Sequence, residues 1–150
     1  MTVPNGPNDM ATFPASSQAG LSISANTQLN GIIFNPGANS YSIANSAPLT
    51  ISGTGITNNS GAPQSFVASN SLTFTNSANL GNLLSFYNSG SISFRNSISA
   101  GTATFTDNNN SVTNFYDSST AGSATFTINS HNSRMNFYNT ATAEIGRAHV

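Results

Sequence analysis

Apolar and polar residues alternate with a period of two along many short segments of this chain. In residues 102–107, Ala103 and Phe105 point to one side of a strand, while the threonines between them point to the other. A second segment shows the same alternation around Ile92 and Phe94. Period two with β-branched and aromatic residues predicts half-buried β-strands. Asn, Asp or Gly follows nearly every such segment, which predicts turns between the strands.

The strand pattern recurs about every 21 residues in the second half of the chain. Two kinds of segment alternate there: the first kind occupies residues 74–81, 94–101, 115–122 and 137–144, and the second kind residues 84–88, 103–107 and 124–129. A strand-rich repeat of this length without helices predicts a β-solenoid, in which each repeat is one coil that pairs in parallel with the next. We therefore expect an all-β fold, a parallel β-helix with about 20–22 residues per coil.

An antiparallel β-sandwich is the alternative fold, because alternating strands are typical of sandwiches as well. Sandwich strands rarely repeat in identity at a fixed period, so the repeat favours the solenoid. We expect a single solenoid over residues 1–143, with irregular coils in 1–70 and regular repeats in 71–143. At about 20 residues per coil, this length gives about seven coils. The strands left unpaired at the ends predict poor solubility or edge-to-edge association.

The phenylalanines of successive coils are expected to stack into a continuous apolar column. Burial of one such side chain favours folding by roughly 1.5–3 kcal/mol. Gly81, Gly101 and Gly122 recur at one position of the repeat, which predicts a corner where a Cβ would clash or φ is positive. Turn asparagines either stack as side-chain ladders along the coils or act as ordinary turn residues. They are Asn76, Asn88, Asn96, Asn114, Asn136 and Asn139.

The last seven residues, 144–150, depart from the repeat. Glu144 stands where the repeat predicts Gly, and the chain then reads "EIGRAHV". Codons that spell these residues resemble the start of a widely used short-read sequencing adapter, joined to the first base of the expected Gly codon. We therefore expect residues 144–150 to be read-through of adapter DNA and the chain to be a fragment, with no signal peptide visible before its first strands. A natural C-terminus that drifts from the repeat is the alternative.

The composition is polar but almost uncharged. Asn, Ser and Thr fill 65 of the 150 positions, charged residues make up 5%, and the formal net charge is −1. Such a chain has no field to attract nucleic acid, so we expect no nucleic-acid partner. It contains no Cys and no apolar run long enough for a membrane helix, which predicts neither disulfides nor membrane insertion by this segment. A disordered polar tract is the alternative, but the regular Phe and Ile positions favour a packed core.

Ionisable side chains are too few and too scattered to suggest catalysis. Asp107 and Asp117 each follow a strand segment and are predicted to cap turns. His131 lies in a predicted exposed loop, and a single His without Cys makes no zinc site. We therefore predict no catalytic residue, no metal, no cofactor and no enzymatic activity for this segment.

Residues 31–67, the segment "LTFTNSANLGN" at 72–82 and the units of the "FYDSSTAGSATFT" type resemble the passenger regions of autotransporters and related bacterial surface proteins. The resemblance runs from about Val3 to Ala143. It implies a right-handed parallel β-helix that is exported and displayed at the cell surface or released. Many members carry a C-terminal outer-membrane barrel, so the parent protein would carry a barrel or another anchor. The expected function is structural or adhesive, with host or extracellular glycans or proteins as the expected partners.

Two columns of outward residues are candidates for a binding face. Thr104 and Thr106 would stack on Thr125 and Thr127 of the next coil, and such a threonine ladder can order water. Ser85 and Tyr87 of the preceding coil interrupt that ladder.

The second column contains Arg95, Tyr116 and Tyr138, which offer aromatic stacking to a glycan or protein partner. For both columns, ordinary outward strand residues are the alternative interpretation. The function thus has two alternatives to a structural or adhesive segment: a binding face for glycan, partner or ordered water, or a non-catalytic part of a carbohydrate-active β-helix enzyme.

Overall fold

Parallel β-strands wound into a β-solenoid form the structure, a computed structural model that describes residues 4–143 and the backbone of residues 147–149. The strands stack in about six turns. Every strand pairing among the described residues is parallel, which confirms the predicted solenoid and excludes the antiparallel sandwich. No helix occurs in these residues.

Fifteen strands, numbered in chain order, belong to two sheets. The first sheet contains β1 (Met10–Phe13), β3 (Thr27–Phe34), β5 (Leu49–Asn58), β7 (Ser71–Phe74), β8 (Asn79–Leu80), β10 (Ser91–Phe94), β12 (Val112–Phe115) and β14 (Arg134–Phe137). The second sheet contains β2 (Gly20–Ile23), β4 (Ser42–Asn45), β6 (Gln64–Ala68), β9 (Leu84–Asn88), β11 (Thr104–Asp107), β13 (Thr125–Ile128) and β15 (Arg147–His149).

Each turn of the solenoid has three strand positions. The long strand β5 pairs with β7 through its first residues, which lie on what we call the first face. It pairs with β8 through Gly55 and Ile56, which lie on the second face, so the first sheet covers two faces. In later turns the second face is reduced to single bridges that join Ser99 to Thr120 and Thr120 to Thr142. We call the face formed by the second sheet the third face. The sequence pattern predicted only two strands per repeat and missed the second face.

Two columns of phenylalanine rings form the core. On the first face, Phe94 stacks on Phe74 and Phe115, with ring centroids 5.3 and 4.7 Å apart. Phe137 continues this column 4.9 Å from Phe115. A parallel column on the third face is built in the same way, and the rings of the two columns meet edge to face at centroid distances of 5.8–6.1 Å. The predicted apolar column is therefore confirmed, and it is double.

The coils are longer in the first half of the chain than the repeat predicted. Ile32 pairs with Ile56, which lies 24 residues later, whereas Phe94 pairs with Phe115, 21 residues later. The prediction of about seven coils was therefore wrong, and the described residues complete about six turns. The physical reason lies in the second face, where large inward residues such as Ile32 and Leu80 give way to Ala100 and Ala121, so a shorter coil closes around the core.

The corner glycines have the predicted geometry. Gly101 and Gly122 have φ angles of +65° and +59°, which L side chains rarely adopt. A Cβ at Gly81 would lie 2.7 Å from the carbonyl oxygen of Ile56. These close approaches explain why only Gly fits at this corner.

Turn asparagines form ladders as well as turns. Asn76 and Asn96 both have positive φ, and Asn96 Oδ1 accepts a hydrogen bond from the backbone N–H of Asn76 at 2.9 Å. Asn114 and Asn136 lie within β12 and β14, so their prediction as turn residues was wrong, although Asn136 Nδ2 donates to Asn114 Oδ1 at 2.9 Å. Side-chain ladders therefore join successive coils at these positions.

The backbone of β15 continues the second sheet, with Thr125 opposite Arg147 and Thr127 opposite His149. This strand falls within residues 144–150, which we interpret as adapter read-through. Residues 144–146 and 150 lie outside the described residues. An extended segment of any sequence can pair with an open sheet edge through its backbone, so the interpretation stays a prediction.

Candidate functional site

The outward side chains of Arg95, Tyr116 and Tyr138 lie in one column directly after the first-face strands. The Arg95 guanidinium carbon lies 4.3 Å from the centroid of the Tyr116 ring. The rings of Tyr116 and Tyr138 stack with centroids 4.9 Å apart and an interplanar angle of 11°. Both faces of the Tyr116 ring are thus covered by neighbours. The binding role of this column stays a prediction.

The threonine ladder lies on the third face. Thr104 is opposite Thr125 and Thr106 is opposite Thr127 in the pairing of β11 with β13. In β9 the corresponding positions are Ser85 and Tyr87, as the sequence predicted. The regular ladder therefore spans two described coils, and its role in ordering water stays a prediction.

Tyr87 on the third face and Leu83 in the turn before β9 are exposed residues that the sequence interpretation undervalued. Tyr87 is 48% exposed and Leu83 is 51% exposed, the two highest values among the exposed large hydrophobic side chains of the described residues. The alternation around Phe86 was a signal that Tyr87 faces outward. No sequence signal marked Leu83, because its exposure depends on an unusual backbone conformation with φ +54°.

A buried carboxyl lies at the corner between β11 and β12. Asp107 is only 1% exposed, and the hydrogen bonds to its carboxyl come from side chains rather than from the backbone of the turn that it was predicted to cap. It is the last residue of β11 and lies opposite Asn88 and Ile128 in the neighbouring coils. Asn88 Nδ2 donates to Asp107 Oδ1 at 2.9 Å, and Thr113 Oγ1 donates to the same carboxyl at 3.0 and 3.1 Å.

Burial raises the pKa of the Asp107 carboxyl, and the hydrogen bonds from Asn88 and Thr113 oppose part of that rise. The corresponding corner in earlier coils holds neutral Asn45, whose Nδ2 donates to the carbonyl oxygens of Ala47 and Ser71. Asp107 therefore replaces an amide in a structural corner, and two neutral donors hold it.

Asp117 and His131, the other two ionisable residues that the sequence analysis singled out, lie at the surface. Asp117 has a positive φ of 61° and accepts a hydrogen bond from the backbone N–H of Asn96 at 2.8 Å, as expected for a turn residue. Its other oxygen accepts from Asn139 Nδ2 at 3.3 Å. His131 is exposed in the turn after β13. Within residues 4–143, no group of three His, Cys, Asp or Glu side chains is placed to hold a metal ion.

An apolar cavity of about 570 Å³ opens at the N-terminal end of the solenoid. Phe13, Leu21 and Ile23 are among its lining residues, and they also pack against the core. It is the open end of the apolar interior rather than a pocket with convergent polar groups.

The described part of the chain contains no helix of the length and hydrophobicity that crossing a membrane requires. No protein-family model matches the chain, and no curated protein and no solved structure is significantly similar to it.

Proposed function

We propose that this chain is a structural or adhesive shaft segment of a surface-displayed or secreted bacterial protein. The single observation that carries the proposal is the uninterrupted stacking of coils in register, with Phe94, Phe115 and Phe137 aligned along the axis. Such a rod holds whatever is attached to its ends at a fixed distance.

Rigidity and neutrality support this role. About six turns at about 4.8 Å each give a rod of about 29 Å, and its length grows in proportion to the number of coils. Parallel backbone hydrogen bonds run along the axis at every strand position. The outward surface carries mostly hydroxyls and amides, and the formal net charge of the chain is only −1, a composition suited to a spacer that does not attract nucleic acid or anionic lipid.

The extracellular location, and a barrel or other anchor elsewhere in the parent protein, belong to the same proposal. They rest on the resemblance of residues 31–67 and of the repeated units to autotransporter passengers. A catalytic role is not part of the proposal, because Asp107 is held by Asn88 and Thr113 rather than paired with a second carboxyl or a His.

A first experiment tests the shaft. Copies of the coil 95–115 are inserted after residue 115 to lengthen the chain, and the maximum dimension is measured by small-angle X-ray scattering. Four extra coils should lengthen the particle by about 19 Å with no change in cross-section. A wider particle of unchanged length would contradict a rod.

A second experiment tests display at the surface. The chain is fused between an export signal and an outer-membrane anchor in a bacterium, and protease is added to intact cells. A passenger-like segment should be displayed at the surface and resist digestion by the protease, while a variant with Phe105→Asp should be displayed and degraded. Retention of the native chain inside the cell would overturn the location.

A binding face is the second candidate function, favoured by the preformed stack of Arg95, Tyr116 and Tyr138. Rings that are already stacked lose little conformational entropy when they meet a partner. A glycan array probed with the native chain and with Tyr138→Ala tests this role. Signals that disappear in the variant would support binding by this column, and release of reducing sugar from any polysaccharide would instead indicate a carbohydrate-active enzyme.

A further inference from the structure

Two buried residues depart from the pattern of the repeat, and their side chains contact each other. Thr113 occupies an inward position of the first face that is apolar in neighbouring coils, where it is held by Leu72, Ile92 and Met135. Asp107 occupies the corner after the third face. The other residues of that corner column are uncharged: Ile23, Asn45, Ala68, Asn88 and Ile128. Two departures from the pattern at one buried point indicate a role beyond packing.

The carboxyl of Asp107 connects a buried hydroxyl to a buried carboxamide. Thr113 Oγ1 lies 3.0 and 3.1 Å from its two oxygens, and Asn88 Nδ2 lies 2.9 Å from its Oδ1. The hydroxyl and the carboxamide also contact each other, with 3.3 Å between Asn88 Nδ2 and Thr113 Oγ1. All three residues are at most 1% exposed, so bulk water is excluded from the cluster.

The carboxamide of Asn88 is polarised at its oxygen. Asn88 Oδ1 accepts a hydrogen bond from the backbone N–H of Gly90 at 3.1 Å. A donor at the carbonyl oxygen and a base beside a hydroxyl are two features that favour acyl transfer. Asn45, in the same corner column, has a different environment, because its Nδ2 donates to two backbone carbonyl groups. The arrangement around Asn88 is therefore not a general property of this corner.

We propose that Thr113 and Asn88 form an intramolecular ester that joins two successive coils, with Asp107 as the general base. Thr113 Oγ1 attacks Cγ of Asn88, one bond away from the Nδ2 atom that it already contacts, and the hydroxyl proton passes to the Asp107 carboxylate. The N–H of Gly90 stabilises the negative charge that develops on Asn88 Oδ1. Asp107 then gives the proton to Nδ2, the C–N bond breaks, and one ammonia leaves as the ester forms.

Burial favours both the formation and the survival of this ester. A hydroxyl and an acyl group held in contact react without the entropic cost of a bimolecular encounter. The released ammonia is diluted and protonated in solvent, which opposes the reverse step. Exclusion of bulk water slows hydrolysis. The reaction occurs once in each chain and takes no external substrate, so it goes beyond the proposed shaft and does not rest on it.

The test follows the intact mass of the full chain during incubation at neutral pH. The ester should lower the mass by about 17 Da, the mass of one ammonia. Cyclic imides at Asn5 and Asn30, which precede Gly, would lose the same mass, so the position is tested separately. Arg95 lies between the two bridged residues, so trypsin digestion of the denatured chain separates them unless the ester joins them. Mild alkaline hydrolysis should then release the joined peptides.

Variants distinguish the roles of the three side chains. Asp107→Asn should slow formation of the ester by about 100-fold or more, because a general base contributes about 10²–10⁴-fold. Thr113→Val should abolish the ester, and Thr113→Ser should retain it. Ser119→Ala is the matched control and should react like the native chain, since this buried hydroxyl donates to the carbonyl oxygens of Phe94 and Tyr116. Circular dichroism before incubation establishes that each variant is folded.

Three results would overturn the inference: no joined tryptic peptides from the native chain after prolonged incubation, an unchanged rate in Asp107→Asn, or joined peptides from Thr113→Val. Loss of ammonia without joined peptides would assign the reaction to cyclic imides and would equally refute it. An absent ester leaves the length of the rod unchanged, so the failure of this inference is distinguishable from the failure of the shaft. Unfolding free energies of Asp107 variants refer to the unbridged chain, which the intact mass identifies.

Discussion

Phe105 lies at the centre of the third-face column and provides the sharpest test of how the core stabilises this fold. Its side chain is fully buried, and its ring stacks on Phe86 and Phe126 at centroid distances of 4.8 and 4.6 Å. It also meets the edge of Phe94 at 5.8 Å. Phe105→Ala removes a complete ring from a site that is enclosed on both sides along the axis.

The expected loss follows from these contacts. Phe→Ala substitutions in cores cost about 3–5 kcal/mol, including the cavity that remains. Two stacked neighbours and one edge contact place Phe105 at the upper end, at about 4–5 kcal/mol, because each aromatic pair contributes about 0.5–1.5 kcal/mol beyond its burial. Phe105→Leu retains most of the volume and should cost about 1–2 kcal/mol.

Urea unfolding followed by circular dichroism measures these differences, with Phe137→Ala as the matched comparison. Phe137 is half-buried and stacks on one described ring, Phe115, so its removal should cost less than half as much. Hydrogen exchange of β9 and β13 amides shows whether the loss spreads to the adjacent coils. A cost below about 1 kcal/mol for Phe105→Ala, or equal costs at both positions, would refute the argument that stacked rings hold the coils together.

Three further predictions concern the corners and the ends. Because burial raises the folded-state pKa of Asp107, its protonation stabilises the fold at low pH, and this contribution is lost as the pH rises through that pKa. Asp107→Asn should therefore raise the free energy of unfolding at neutral pH and flatten its dependence on pH, and a destabilised variant would contradict this sign. Gly122→Ala should lower the free energy of unfolding in urea by about 1–2 kcal/mol or more, because φ is +59° and the new Cβ would lie 2.6 Å from Ser99 Oγ. Gly37→Ala is the control, since its φ is +76° but the space around it is open, so it isolates the backbone part of the cost. The open strand edges at both ends should drive concentration-dependent association in sedimentation velocity, and a monomer at high concentration would count against it.

The regular half of the fold was predictable because its period is visible in the side chains that fill the core. Phe residues recur about every 21 positions and alternate with outward hydroxyls, so strand positions, register and the corner glycines all followed from the pattern. The second face was not predictable in this way. Its inward residues in later coils are Ala100 and Ala121. Their side chains are short, and they lie beside single bridges rather than in strands with alternating apolar and polar residues.

The burial of polar side chains at the corners was less predictable, because it depends on how the backbone turns from one strand to the next. Asp107 follows a strand pattern, as a capping residue does, but the chain turns so that Thr113 of the next strand lies over its carboxyl. The stacked column of Arg95, Tyr116 and Tyr138 was predictable from register alone. The outward position of Tyr87 followed from the alternation around Phe86, whereas the exposure of Leu83 did not, because a positive φ at Leu cannot be inferred from residue type.

The pairing distance along the chain has a consequence for how this protein folds. Each strand contacts the strand about 19–24 residues away, as in the pairing of Phe86 with Phe105 and of Ile32 with Ile56. This separation does not increase when coils are added, so contact order relative to total length falls as the array becomes longer. One formed coil offers a template for the next, so folding can nucleate at any coil and propagate to its neighbours. A chain of this design can acquire its structure progressively, coil by coil, without waiting for contacts between distant parts of the sequence.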